Sequence, residues 1–234
     1  MIAGVGVVVP AHDEEDLLPT SLDAVVRTLD RCRERGLETR IVVALDRCTD
    51  RSAELAGAAL ARLGERATLV EGRFGSAGAA RRAAFDRLLQ PFCDGDSTSL
   101  WLATTDADTV VGGDWLERQI AAANAGFDAV AGTVEVRDWH EQPQGTPLRF
   151  RRLYAPEADP GHPHVHGANL GFRASSYRLA GEMPGLPVSE DRAMIDALAS
   201  VGARILRTTE IPVTTSARRE PRAQGGFGDF LRAL

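Results

Sequence analysis

Four short apolar runs punctuate the first half of the chain: GVGVVV (4–9), RIVVAL (40–45), ATLVEG (67–72) and SLWLAT (99–104). Between them apolar residues recur at helical spacing, as Leu17, Leu18, Leu22, Val25, Val26 and Leu29 do from Asp16 to about Arg35. Short apolar strands alternating with helices are the mark of βαβ units, whose parallel sheet is covered on both faces. The sequence therefore predicts an α/β fold with a mostly parallel central sheet flanked by helices. In such sheets the ligand crevice lies beyond the carboxyl ends of the strands. That rule gathers PAHDEE (10–15), DRCTD (46–50) and TDADT (105–109) into one cleft. All three are acidic, which suits a site that handles a cation.

The sharpest of these features is the pair Asp106 and Asp108, separated only by Ala107. Like charges this close resist ionising together. In an extended segment residues i and i+2 project to one side. Both carboxylates can then offer oxygens to one hard divalent ion, Mg²⁺ or Mn²⁺, whose other positions go to phosphate and water. A capped turn is the competing account, with Asp108 or Thr109 serving the helix that opens near Asp114.

The second half is less regular. A helix is predicted over 114–125, a strand over 128–137, and a long excursion or lid over 138–163, rich in Pro, Gly, His and charge. The segment 164–173 returns to the sheet. A helix follows over 188–202 with Ser189 as its N-cap, then two short strands, ARILRT and IPVTTS, and a tail that carries Arg218, Arg219 and Arg222.

Composition narrows the function. The chain has 234 residues and a net charge of -6, which gives no support to nucleic-acid binding. All 27 basic residues are arginine, so Schiff-base lysine chemistry and a P-loop lysine are excluded. Cys32, Cys48 and Cys93 lack metal-ligand spacing and read as reduced thiols. No window approaches a membrane span, and the apolar start lacks the form of a signal peptide. The expectation is a cytoplasmic protein without an integral membrane segment.

The stretches VVVPAHDEEDLLPTSLDAV, VVALDRCTDRSAELA, GSAGAARRAAFD, TTDADTVVGGDWLE, GANLGFRASSY and SED occur in that order. Together they resemble family 2 glycosyltransferases of the GT-A fold over about residues 5–215. The resemblance implies one domain over 1–215, with a nucleotide-sugar-binding half (1–112) and an acceptor half (113–215), followed by a tail (216–234). It implies that Pro10, Ala11, His12 and Glu14 belong to a loop around the base and ribose. Asp13 stands where the family has Asn. Asp46 matches an acid that contacts the base, while Leu45 replaces the acid before it. Arg81 or Arg82 becomes a phosphate or base contact. Asp106 and Asp108 would hold the metal and, with it, the donor diphosphate. Asp191 would be the catalytic base. Trp139, Asn169 and Glu190 are expected on the acceptor side. The implied partners are a nucleotide-diphosphate sugar, with UDP favoured, and a small-molecule, lipid-linked or glycan acceptor.

Asp191 has a purely structural account as well, since Glu190 and Asp191 are first-turn acids that favour the helix dipole. His162, His164 and His166 form an H-x-H-x-H run that suits a metal or acceptor site, or a solvated loop. Trp139, Phe150 and Tyr154 offer faces for a sugar ring or anchors for the excursion. Arg218, Arg219 and Arg222 are suited to closing over phosphates, or form a basic tail. A nucleotidyltransferase would want a glycine-rich basic loop where PAHDEE stands. A non-catalytic nucleotide-sugar-binding scaffold would keep the cleft without needing the base. A dinucleotide dehydrogenase would need a G-x-G-x-x-G turn, and GVGVVV places its glycines within a strand.

Overall fold

The computed structural model describes residues 1–90, 97–154, 161–222 and 225–234. Cys93 and residues 155–160 of the predicted excursion lie outside them. The first half builds β1 (Gly4–Ala11), α1 (Leu18–Glu34), β2 (Glu38–Asp46), α2 (Ser52–Leu60), β3 (Ala67–Gly72), α3 (Ala77–Leu89) and β4 (Leu100–Thr104). The second supplies β5 (Thr109–Val110), α4 (Trp115–Asn124), β6 (Ala129–Glu135), α5 (Thr146–Leu153), β7 (Leu170–Arg173), α6 (Ala174–Leu179), α7 (Glu190–Ser200), β8 (Ile205–Thr215) and α8 (Phe227–Arg232). Among the described residues eight strands form one sheet in the order β3-β2-β1-β4-β7-β6-β8-β5. The pairs within β3-β2-β1-β4 are parallel, as is β6 with β8; β7 and β5 pair antiparallel with their neighbours.

Side-chain alternation divides the core into two layers. Val7, Val9, Ile41, Val43, Leu45, Trp101 and Ala103 pack on one face with Leu22, Val25, Val26 and Leu29 of α1. Val8, Val42, Ala44, Leu100 and Leu102 point the other way, toward Ala84, Phe85 and Leu88 of α3. Every residue of β1 and β4 is buried. The uninterrupted apolar runs follow directly, because a two-faced strand has no solvent side to mark with polar residues.

Several boundaries differ from the sequence expectations. ARILRT and IPVTTS are one continuous strand, β8, which pairs with β6 and bulges between Gly132 and Val134. Ser189 stands before α7 with φ +60°, and its side chain makes no capping hydrogen bond. Its position is N-cap in sequence only. The excursion carries α5, whose Phe150 packs on Trp139 (5.3 Å between ring centres) and stacks on Tyr154 (4.7 Å).

The fully buried Asn169 ties three elements together. Trp115 Nε1 donates to its Oδ1 at 2.9 Å, and its Nδ2 donates to Thr133 O (2.9 Å) and Ile211 O (2.6 Å). The Gly132 backbone is pressed against that amide, and a methyl group at Gly132 would overlap Asn169 Nδ2. Asn169 thus locks α4, β6 and β8, with both amide N–H groups already donated. Asn169, expected on the acceptor side, is not among the residues that line the cleft.

Candidate active site

The carboxyl ends of β1, β2 and β4 open into a cleft of about 800 Å³. Pro10, Ala11, His12, Glu14, Asp46, Arg81, Asp106, Asp108, Glu190 and Asp191 all line it. Trp139, expected on the acceptor side, is not among the lining residues; it is partly buried and packs against the core beside Phe150.

The acidic pair adopts a turn rather than an extended strand, since Thr109 N donates to Asp106 O at 3.1 Å. Thr109 begins β5 and its hydroxyl donates to Thr215 Oγ1, so neither Asp108 nor Thr109 caps α4. The two carboxylates meet different arginines. Arg81, buried on α3, pairs with Asp106 and with Glu190 and donates from Nε to Thr104 Oγ1 at 3.1 Å. Its tip lies against Gly167, where a Cβ would come within 2.5 Å of Arg81 Nη2. Arg82, the other sequence candidate, turns away to Glu182 and Met183 O. Arg218 reaches back from the tail to Asp108 and to Glu14 Oε1 (2.7 Å). The basic tail is thereby part of the cleft wall, and Phe227 of α8 meets Phe150 edge-on.

Burial pushes the Asp106 carboxyl up to about 6, against the pull of Arg81. Burial also carries Glu14 up to about 7, opposed by Arg218. Glu14 accepts from Arg218 Nη2 at 2.7 Å, the contact that opposes this rise. The Asp46 carboxylate accepts from the backbone N–H of Phe74 (2.7 Å) and Gly75 (3.0 Å), fixing the loop after β3, and its carbonyl lies 2.6 Å from His12 Nδ1. Asp191 opens α7; its Oδ2 accepts from Gly167 N at 2.9 Å and its Oδ1 from Arg192 N at 2.7 Å.

The donor set fits a hard divalent cation. Among the described residues Asp106 Oδ2 has no hydrogen-bond partner, and Asp108 Oδ1 meets only the Thr109 hydroxyl at 3.4 Å. Each carboxylate thus keeps an oxygen that could enter the shell of a metal otherwise held by phosphate and water. A second group, Asp13, Cys48 and Asp50, lies outside the cleft. There Asp13 Oδ1 already accepts the N–H groups of Thr49 (2.7 Å) and Asp50 (3.3 Å), and burial pushes the Cys48 thiol up.

Tyr154, His164 and His166, each singled out in the sequence with alternatives open, form one wall of the cleft together with Phe227, which sequence reasoning missed. Tyr154 stacks on His164 at 4.0 Å, and its hydroxyl is 2.7 Å from His166 Nε2. Burial, then His164, His162 and Arg192, push His166 down to about 3. The sign follows: between pH 6.5 and 3 the unfolded chain binds a proton that the folded chain refuses. This stability is complete above pH 6.5 and is lost as pH falls. Urea unfolding at pH 7 and pH 5 should show a loss on the order of 2 kcal/mol from this group, since each pKa unit is worth about 1.4 kcal/mol and the wet cleft side offsets part. His166→Phe should flatten that limb.

Comparison with known proteins gives the family and the fold. Residues 6–179 match the model of Glycosyl transferase family 2. The chain is 30% identical over 235 residues to the undecaprenyl-phosphate 4-deoxy-4-formamido-L-arabinose transferase of Edwardsiella ictaluri; the match covers 98% of this chain and 65% of that protein. Its fold is similar to the mannosyltransferase PcManGT from Pyrobaculum calidifontis in complex with GDP-Man and Mn²⁺ (TM-score 0.64, 19% identity, 100% of this chain and 69% of that one). It is also similar to S. aureus TarS 1-349 in complex with UDP (TM-score 0.63, 17% identity, 91% and 61%). No helix among the described residues is long and apolar enough to cross a membrane. With the family's motifs set in order around one cleft on this α/β sheet, the chain belongs to glycosyl transferase family 2.

Proposed function

We propose that the protein is a metal-dependent, inverting glycosyltransferase that moves a sugar from a nucleotide-diphosphate donor, UDP first among the candidates, to a hydroxyl acceptor. The observation that carries this reading is the convergence of Asp106, Asp108, Arg81 and Asp191 on one cleft at the carboxyl edge of a parallel sheet. Asp106 and Asp108 would hold Mg²⁺ or Mn²⁺, which supplies a Lewis acid for the charge that develops on the departing diphosphate. Arg81 holds Asp106 and Glu190 in place from the buried side. Arg218, now on Asp108 and Glu14, is the cation best placed to turn toward a phosphate. Pro10, Ala11, His12 and Asp46 line the base end. Asp191, oriented by the Gly167 amide, takes the proton of the attacking hydroxyl. Attack opposite the leaving group inverts the sugar in one displacement. The Edwardsiella relative is named for undecaprenyl phosphate, which supports a lipid-linked acceptor among the candidates.

A thermal-shift panel of UDP, GDP, dTDP and CDP, each with and without Mn²⁺, tests the donor reading. A ligand at 100 times its Kd stabilises by about 2.7 kcal/mol. UDP with Mn²⁺ should raise Tm most, and Asp108→Asn should lose the part that depends on manganese. Nucleotides that leave Tm unmoved with or without manganese would reject the donor site.

A further inference from the structure

The Tyr154 hydroxyl has two neighbours: the Val134 backbone N–H donates to it at 3.0 Å, and His166 Nε2 lies 2.7 Å away. A phenol has one hydrogen to give. With Val134 donating inward, that hydrogen is aimed at His166 Nε2. Were both neighbours to donate, the phenolic hydrogen of this buried residue would have no acceptor, a costly arrangement. A neutral imidazole whose Nε2 accepts carries its proton on Nδ1. The depressed basicity of His166 keeps the ring neutral at physiological pH.

Among the described residues His166 Nδ1 has no hydrogen-bond partner, and the ring lines the cleft. It immediately precedes Gly167, whose N–H orients Asp191. A single N–H donor in the cleft wall, one residue from the group that holds the base, calls for an oxygen from a ligand. The cationic groups Arg81 and Arg218 stand instead with the carboxylates of the metal and phosphate end.

We propose that His166 binds the glycosyl acceptor, its Nδ1–H donating to a neutral acceptor oxygen, and that Tyr154, held by Val134, is the positioning residue that fixes this tautomer. The assignment of the ligand as acceptor rests on the glycosyltransferase reading; the tautomer does not. The same arrangement keeps His166 out of metal coordination, since Tyr154 occupies the Nε2 lone pair and Nδ1 carries the proton. His164, stacked on Tyr154, keeps the phenol in place. His162 is buried with its ring nitrogens 3.1 and 3.2 Å from the carbonyls of His164 and Thr208, a structural role.

Histidine-selective ¹⁵N labelling of the full chain, read by two-bond ¹H–¹⁵N correlation, tests this. His166→Asn, in which one signal set disappears, gives the assignment. The expected pattern is neutral Nδ1–H from pH 7.5 to pH 5, collapsing toward a mixed tautomer in Tyr154→Phe. Titration with methyl β-D-glucoside, a probe carrying hydroxyl and ether oxygens, should move the Nδ1–H proton, while UDP alone should leave it in place. An Nε2–H pattern, or protonation of His166 above pH 5, would overturn the tautomer. An Nδ1–H that moves with UDP and ignores the glucoside would overturn the acceptor role. Failure of every nucleotide to bind would strike the glycosyltransferase reading and leave the tautomer result standing.

Discussion

Asp191→Asn is expected to bind UDP and Mn²⁺ as the unaltered chain does and to transfer sugar about 10²–10⁴-fold more slowly, the usual worth of positioned proton removal. The amide retains an oxygen that can accept from Gly167 or Arg192, the two backbone donors that now hold the carboxylate, so α7 should open as before. What the amide cannot do is take the proton of an incoming hydroxyl. The measurement is transfer rate beside the nucleotide melting shift on the same preparation. Unchanged turnover would remove Asp191 from the base role. An equal loss of UDP binding would recast it as a residue that shapes the donor site. The variant also separates an enzyme from a nucleotide-sugar-binding scaffold, for which this carboxylate would be dispensable.

The second large effect is structural. Arg81→Met should cost about 3–5 kcal/mol, because removing one partner of a buried ion pair leaves the other charge uncompensated. Arg81 is 3% exposed and answers both Asp106 and Glu190, so one substitution strands two carboxylates. For a chain of this size 1 kcal/mol is worth about 2–4 °C, so Tm should fall by about 10 °C. Lysine should recover little of this, since one ammonium cannot reproduce a planar fork that meets Asp106, Glu190 and the Thr104 hydroxyl together. Adding Glu190→Gln to Arg81→Met should restore part of the loss, as coupled partners do in a double-mutant cycle. A melt within 2 °C of the unaltered chain would mean that water or a neighbouring arginine already neutralises the pair.

Much of the site was legible in order along the chain. Asp106 and Asp108 were placed correctly at the end of β4, yet their conformation was not, because alternation presumes an extended segment and the chain turns after Thr105. Glu190 and Arg81 were each singled out, but nothing in their spacing, 109 positions apart, announces that they pair. Asn169 and Trp139 looked like cleft residues because they belong to segments that end at the cleft. The Asn169 amide instead joins three elements inside the fold, and the half-buried Trp139 packs against the core beside Phe150. The tail arginines carried no sign of which carboxylate they would meet.

The sequence by itself determined the layers. Runs of apolar residues at strand length, alternating with helical periodicity, can be buried in few ways other than a covered parallel sheet, and that sheet places loop acids at one edge. Only the tertiary structure decided which charges neutralise which, which amide ties three elements together, and which imidazole nitrogen meets the Tyr154 hydroxyl. Burial is a local demand that composition can satisfy and therefore reveal. Ion pairs and hydrogen bonds depend on directions and on distances of about 3 Å between residues far apart in the chain, and those exist only once the fold has closed.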